Sequence, residues 1–455
     1  MHREHSPVCS NCPGLAAKDR KFPTRRSPPA SLCMLLPCET GNPSTNATEN
    51  TKGMKHHPGI FCLLLPLLLS GCVDGAAPRP AAPQIDELIT EPEFYDVYEA
   101  GTDGYHTYRI PAVIRTTENT LLAFAEARVD SYFDKSENDI VLRRSDDLGV
   151  TWGELQVLYD AGVYSLNDPV PVQITSGVHA GRILLMFHRI PCKQIESLDQ
   201  CEPVGDLPHA MLLMYSDDDG RTWSEPEDIS DAISADGQGV GGVGPGIAIV
   251  KQREPKAGRI IFPMRVGETN YAAYSDDGGE NWAAGALVDT DTTVGGGNEA
   301  QIVELINGDL LLNARNTAGT GFRKTAISSD GGETWSPMTD DTELVDSRVM
   351  ASILRFSWDT DDRSRILFSN PANPEVRIEG TIRLSYDEGQ TWSVSKVLEP
   401  NIFAYSSLVK LDCRHVGVLF EQGLASEHMI FARFSLNWLT DNADIPSCET
   451  ESSQD

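Results

Sequence analysis

Basic residues are scarce in this chain of 455: 37 Lys and Arg stand against 67 Asp and Glu, a net charge of −30. That balance argues against nucleic acid and anionic membrane surfaces as partners, and for a well-solvated exterior. Helical periodicity is missing too; no segment carries a long 3.6-residue apolar repeat. The apolar run from Ile60 to Leu69 is too short for a membrane span and has the length of a signal-peptide core. No cysteine spacing suggests a zinc site. Aromatics make up only 7% of the residues, yet five of the seven tryptophans sit in one recurring phrase.

That phrase first reads Ser145-Asp146-Asp147-Leu148-Gly149-Val150-Thr151-Trp152. It returns at 216–223, 275–282, 328–335 and 385–392, with Asn281 in place of Thr in the third copy. The pattern Ser-x-Asp-x-Gly-x-Thr-Trp lies between short runs of strand character. Its Asp can accept from the following backbone N–H groups, and its Gly supplies a positive φ, so each copy is expected to be a hairpin turn. The Trp beyond it is expected to pack between neighbouring sheets. A period of about 58 residues fits a four-stranded antiparallel blade with its loops. The expected fold is therefore all-β, a six-bladed propeller over 91–442, with one terminal blade lacking the phrase.

The N-terminal region reads differently. Met54-Lys55-His56-His57 precedes the apolar run, which ends Leu69-Ser70-Gly71-Cys72. This ending resembles a bacterial lipobox, which implies cleavage before Cys72 and lipidation of that cysteine. Residues 54–71 are then a lipoprotein-type signal peptide and 72–90 an Ala/Pro-rich tether. A signal peptide belongs at a chain start, so Met54 is the expected start and 1–53 a disordered or mis-assigned extension. The expected product is exported, anchored to a membrane only through Cys72, or secreted. In that setting disulfides can form, with the pairing open: Cys192–Cys201 would close a short loop, and Cys413–Cys448 could pin an acidic flexible tail, 443–455.

The recurring phrase resembles the Asp box of the sialidase superfamily, and the resemblance spans nearly the whole propeller region. Tyr108-Arg109-Ile110-Pro111, followed by Leu121-Leu122-Ala123-Phe124-Ala125-Glu126-Ala127-Arg128, resembles the opening of family 33 glycoside hydrolases. The resemblance implies that Arg109 grips a substrate carboxylate, which a planar guanidinium fork matches. Arg315, in Leu311-Leu312-Asn313-Ala314-Arg315-Asn316, and Arg377, in Arg377-Ile378-Glu379-Gly380-Thr381, match the other two clamp positions. Asp134 matches the acid/base position, with Asp130 and Asp139 as alternatives on the same stretch. Tyr405, in Ala404-Tyr405-Ser406-Ser407-Leu408, matches the nucleophile, and Glu299 its activating base. A phenol nucleophile has a physical reason: a carboxylate would be repelled by a centre that already bears one. Glu421 matches the carboxylate that orients Arg109. Arg128 and Asp168 match contacts to the sugar's 4-hydroxyl region; the alternative is that either one belongs to a structural ion pair.

The resemblance implies an exo-α-sialidase that releases terminal sialic acids with retention, through a tyrosyl-enzyme intermediate and without a cofactor. Sialylated glycans, glycoproteins or gangliosides are the expected partners, and a monomer the expected state. Trans-sialylation, hydrolysis of a related nonulosonic acid, and a catalytically silent sialoglycan-binding propeller are the alternatives. Distant carboxylates are screened over about 8 Å, so the −30 charge does not oppose an anionic substrate held by three arginines. Since Asp134 must carry a proton to act as an acid, an acidic pH optimum is expected.

Overall fold

The computed structural model describes residues 84–448 apart from 86, 196–199, 238 and 291–293. The extension, the signal peptide, Cys72 and most of the tether lie outside the described residues.

The first blade is Thr107–Arg115, Leu121–Arg128, Asn138–Ser145 and Gln156–Tyr159, each strand antiparallel to the next. Four units of the same plan follow, starting at Ser165, Gly242, Gly297 and Ser352. The first two blades count as one eight-stranded sheet, but a single parallel pair, Asn138 and Ser165, joins them. In the third blade the inner strand is split: Gly242–Val243 and Ile249–Val250 both pair with Ile260–Val266. The last blade takes three strands from the chain end, Ser406–Lys410, His415–Gln422 and His428–Ser435. Its fourth is Glu93–Glu99 from the start of the described chain, paired from Glu93↔Arg433 to Glu99↔His428. Among the described residues this makes six blades.

Hydrophobic burial closes the circle. Each of six apolar clusters joins one blade to the next. One sets Leu166 and Leu212 against Leu122 and Phe124; another sets Leu419 and Phe431 of the sixth blade against Leu121 and Val141 of the first. The second strand of the first blade is buried along its entire length, as a strand covered on both faces must be.

Each box starts on the serine that ends a blade's third strand. The serine hydroxyl donates to the Asp and accepts from the box glycine, at 2.8 Å from Gly149. The Asp accepts from the backbone N–H and hydroxyl of the Thr, at 2.9 and 2.5 Å in the first box. Asn281 fills the Thr role through its amide, 2.7 Å from Asp277. That amide and the Asn281 backbone N–H hold the Asp277 carboxyl below its ordinary range. In the sixth blade Ser435 caps a short helix, Leu436–Leu439, instead. Its outer strand comes from the other end of the chain, so no hairpin turn is needed there.

Four of the five box tryptophans meet a phenylalanine ring, in two ways. Trp152 and Trp223 set an edge against Phe431 and Phe124 of the preceding blade. Trp282 and Trp392 lie against Phe262 and Phe368 of their own blades. Both expected disulfides, Cys192–Cys201 and Cys413–Cys448, are formed. Two boundaries are corrected. The tether does not run free to residue 90, because Ile89 is buried and its carbonyl accepts from Ser435. The tail is not free from 443 either: Asp444 is buried and pairs with Arg365 at 2.6 and 2.8 Å.

Gly149 shows why the box needs glycine. Its φ is +91°, and a Cβ there would lie 2.1 Å from the Phe431 ring of the neighbouring blade. Gly101 has φ +81° with open space around it. Gly149→Ala should therefore cost about 2–4 kcal/mol and Gly101→Ala about 1–2 kcal/mol, from strain plus overpacking against strain alone. Urea unfolding midpoints check this; equal losses would mean that the blade contact carries no weight.

Candidate active site

A carboxylate at the end of an apolar strand is costly unless it is paired. Glu421 is 1% exposed, and two of its partners come from across the ring closure. One oxygen accepts from Arg109 Nε at 2.7 Å and from the Ile110 N–H at 2.8 Å. The other accepts from the Tyr405 N–H at 3.4 Å. A single side chain thus ties the first blade to the residue that precedes the sixth blade's inner strand.

Irregular backbone aims the polar groups. Register shifts fall between Arg109 and Ala112, Asn167 and Val170, Gly297 and Ala300, and Ile378 and Gly380. Each lies beside a residue singled out from the sequence: Arg109, Asp168, Glu299 and Arg377. Ile110, Asp168 and Glu379 hold φ of +60°, +56° and +60°. A β-branched residue at positive φ stores strain, on the order of 1–3 kcal/mol, and bulges of this kind re-aim side chains. At Ile110 the Glu421 bond to its N–H holds the conformation.

The centre is Tyr405, buried among Ile110, Val349, Met350 and Ala404. Its hydroxyl donates to Glu299 at 2.5 Å and accepts from Arg315 at 2.9 Å. Arg315 also pairs with Glu299 at 2.8 Å. The guanidinium carbons of Arg109 and Arg377 lie 5.2 and 5.4 Å from the Tyr405 ring centre. Burial, and then the Glu299 carboxylate, push the phenol pKa far up, and the three arginines offset only part of this. The phenol is therefore neutral at rest, with a base already on its proton. The arrangement can deliver a phenolate oxygen to a centre facing three cations.

Of the three aspartates on the 130–139 stretch, the structure separates one. Asp139 is buried and accepts from Tyr105 at 2.6 Å, and burial pushes its pKa up to about 6. Asp130 pairs with Lys193. Asp134 is 59% exposed and reaches Arg109 at 3.5 Å and Arg128 at 3.0 Å.

Arg128 and Asp168 each sit in an ion pair. Arg128 is fully buried and pairs with Glu126 at 2.8 Å. Asp168 is buried and bonds Arg265 at 2.7 Å and His188 at 3.1 Å. Sequence reasoning gave Glu126, His188 and Arg265 no role. Glu126 had a signal, a charge inside a strand of otherwise apolar residues up to Arg128, the same argument that flagged Glu421. His188 and Arg265 had none, since their partner lies on another strand or blade. Among the described residues no group of His, Cys, Asp or Glu is placed to hold a metal ion.

Two cavities open on the inner strands. One of about 550 Å³ is walled by Arg109, Arg377, Tyr132, Val376, Ile402 and Leu424, next to the tyrosine. The other, about 620 Å³, is lined by the far ends of the inner strands, including Arg115, Gln173, Glu304 and Lys410. It is larger, but the first is the one walled by two of the three arginines, by Glu421 and by Ala404, the residue before Tyr405.

The sequence and fold have clear relatives. Residues 119–416 match the family model described as a BNR repeat-like domain. A sialidase of Micromonospora viridifaciens is 35% identical, over 84% of this chain and 60% of its own length. One from Bacteroides fragilis is 30% identical, over 75% of this chain and 64% of its own. The chain thus spans under two thirds of these curated relatives. Among solved structures, the Hadza microbial sialidase Hz136 superposes with a TM-score of 0.64 at 26% identity, covering 76% of this chain and 69% of that one. A leech intramolecular trans-sialidase shares the fold, with a TM-score of 0.65 at 21% identity over 77% and 71% of the two chains.

Removing Glu421 should expose the cost of its cluster. Glu421→Ala leaves a buried guanidinium and two buried N–H groups without their acceptor, and is expected to destabilise by about 3–5 kcal/mol. Glu421→Gln keeps one acceptor oxygen and should cost less. Chemical denaturation of both variants checks the order; an unchanged Glu421→Ala midpoint would contradict it.

Proposed function

The chain belongs to the BNR repeat-like domain family, and on that premise we propose that it is an exo-α-sialidase acting on terminal α-linked sialic acids of glycans, glycoproteins or gangliosides. The observation that carries the reading is the Tyr405 hydroxyl, bonded to Glu299 at 2.5 Å and faced by three arginines. A carboxylate on the anomeric carbon suits that cluster. The arginines pair with it, and a neutral nucleophile reaches the adjacent carbon without charge repulsion.

In this mechanism Arg109, Arg315 and Arg377 hold the substrate carboxylate, which competes with Asp134 for Arg109. Glu299 takes the phenol proton as Tyr405 Oη bonds to the anomeric carbon. The bond from that carbon to the leaving oxygen breaks, and Asp134 gives the oxygen its proton. Asp134, now a carboxylate, then takes a proton from water, whose oxygen attacks the same carbon. The Tyr405 bond breaks, Glu299 returns the proton to the phenol, and two inversions give net retention. Arg128, 3.0 Å from the Asp134 carboxylate, acts behind it in this reading. The cavity bounded by Tyr132, Val376 and Leu424 receives the leaving side of the substrate. We also propose that the chain is exported and anchored through Cys72.

The test is incubation of the protein with a sialoside while the anomeric product is followed by NMR. The α-anomer of the free sugar should appear first. Glu299→Gln is expected to lower kcat by about 10²–10⁴-fold, the range of a lost general base, and Tyr405→Phe to abolish normal turnover. Wild-type rates in Tyr405→Phe would overturn the reading. Binding of the sialoside without cleavage would favour a silent binding propeller, and transfer to an added sugar would favour trans-sialylation.

A further inference from the structure

Asp134 has an exposed side chain on the 129–137 loop, but its main chain is gripped from below. Asn138 Nδ2 donates to the Asp134 carbonyl at 2.9 Å and Asn167 Nδ2 at 2.8 Å, with Ser165 Oγ 3.1 Å away. Asn138 and Asn167 are 0% and 5% exposed. Two amides buried at one seam are costly unless each has partners, and these two spend a donor each on the same oxygen. A carbonyl has two lone pairs, so two amide donors saturate it.

The rest of the seam locks the amides in turn. Ser165 Oγ donates to Asn167 Oδ1 at 2.6 Å and accepts from Asn138 at 2.9 Å. Ser136 Oγ donates to Asn138 Oδ1 at 2.6 Å. Asn167 reaches Glu126 at 3.1 Å, the carboxylate that also pairs with Arg128 beneath the loop. From the other side the Gln194 N–H donates to the Lys135 carbonyl at 2.6 Å. Asn138 and Ser165 are the one pair that joins the first two blades. The acid loop is thus pinned at its midpoint, at the corner where two blades meet.

We infer that Asn138 and Asn167 are positioning residues for the acid–base step: they fix the Asp134 main chain so that its carboxyl group meets the leaving oxygen. The inference rests on the proposed function. A purely structural role, holding two blades together, predicts something different, and the leaving group separates the two. An alkyl leaving group, as in sialyllactose, needs the proton from Asp134. A 4-nitrophenolate leaves without it.

The experiment compares kcat/KM, which covers steps up to formation of the tyrosyl intermediate, for 3′-sialyllactose and 4-nitrophenyl sialoside. Asn138→Ala and Asn167→Ala are measured against wild type, with Asp134→Ala as the limiting case. General acid catalysis contributes about 10²–10⁴-fold, so a displaced acid should lose about 10–100-fold on sialyllactose. The nitrophenyl substrate should change little. The ratio of the two values does not depend on how much of a variant is folded, and two separate asparagines guard against one variant failing to fold. An unchanged ratio in both variants overturns the inference while the proposed function stands. A wild-type protein that cleaves neither substrate overturns both.

Discussion

Closure of the ring is the constraint on which the site depends. Glu93–Glu99 completes the last blade, and the sixth blade then packs on the first through Leu419, Phe431, Leu121 and Val141. That seam brings Glu421 and Tyr405 beside Arg109, which is about 300 residues away in sequence. Glu299 and Arg315 arrive from the fourth blade and Arg377 from the fifth. No blade holds the chemistry alone.

The electrostatics follow from that assembly. An acidic chain places three guanidinium groups around one phenol and balances them with buried carboxylates: Glu421 on Arg109, and Glu299 on Arg315. Removing such charges from water costs several kcal/mol each unless partners replace the solvent. The strained Ile110 and the bulged strands keep these partners in place. What results is a neutral, buried phenol with a carboxylate in contact and cations around it, which the proposed mechanism uses on a substrate that carries its own negative charge.

Much of this was legible in the sequence, because periodic and local features encode it. The Asp boxes marked the third-to-fourth strand turn of five blades, and even Asn281 does the work of the Thr it replaces. Glu421 was legible because a charge in an apolar strand demands a partner. What was hidden depends on non-local pairing. The N-terminal strand of the sixth blade has no signal naming its partner. The bond of Asp168 to His188 needs the neighbouring strand in place, and its ion pair with Arg265 and the grip of Asn167 on Asp134 exist only once blades meet. Asp130, Asp134 and Asp139 differ little as letters; burial and neighbours separate them.

The central claim is that the Tyr405 oxygen, not a carboxylate, bonds to the sugar. A 2,3-difluorosialic acid slows release of the covalent intermediate enough to isolate it. Peptide mass mapping after exposure of the protein to that reagent should place one sugar on Tyr405 and none on Tyr405→Phe. A sugar on Glu299 or Asp134, or no adduct on a protein that cleaves sialosides, would contradict the account.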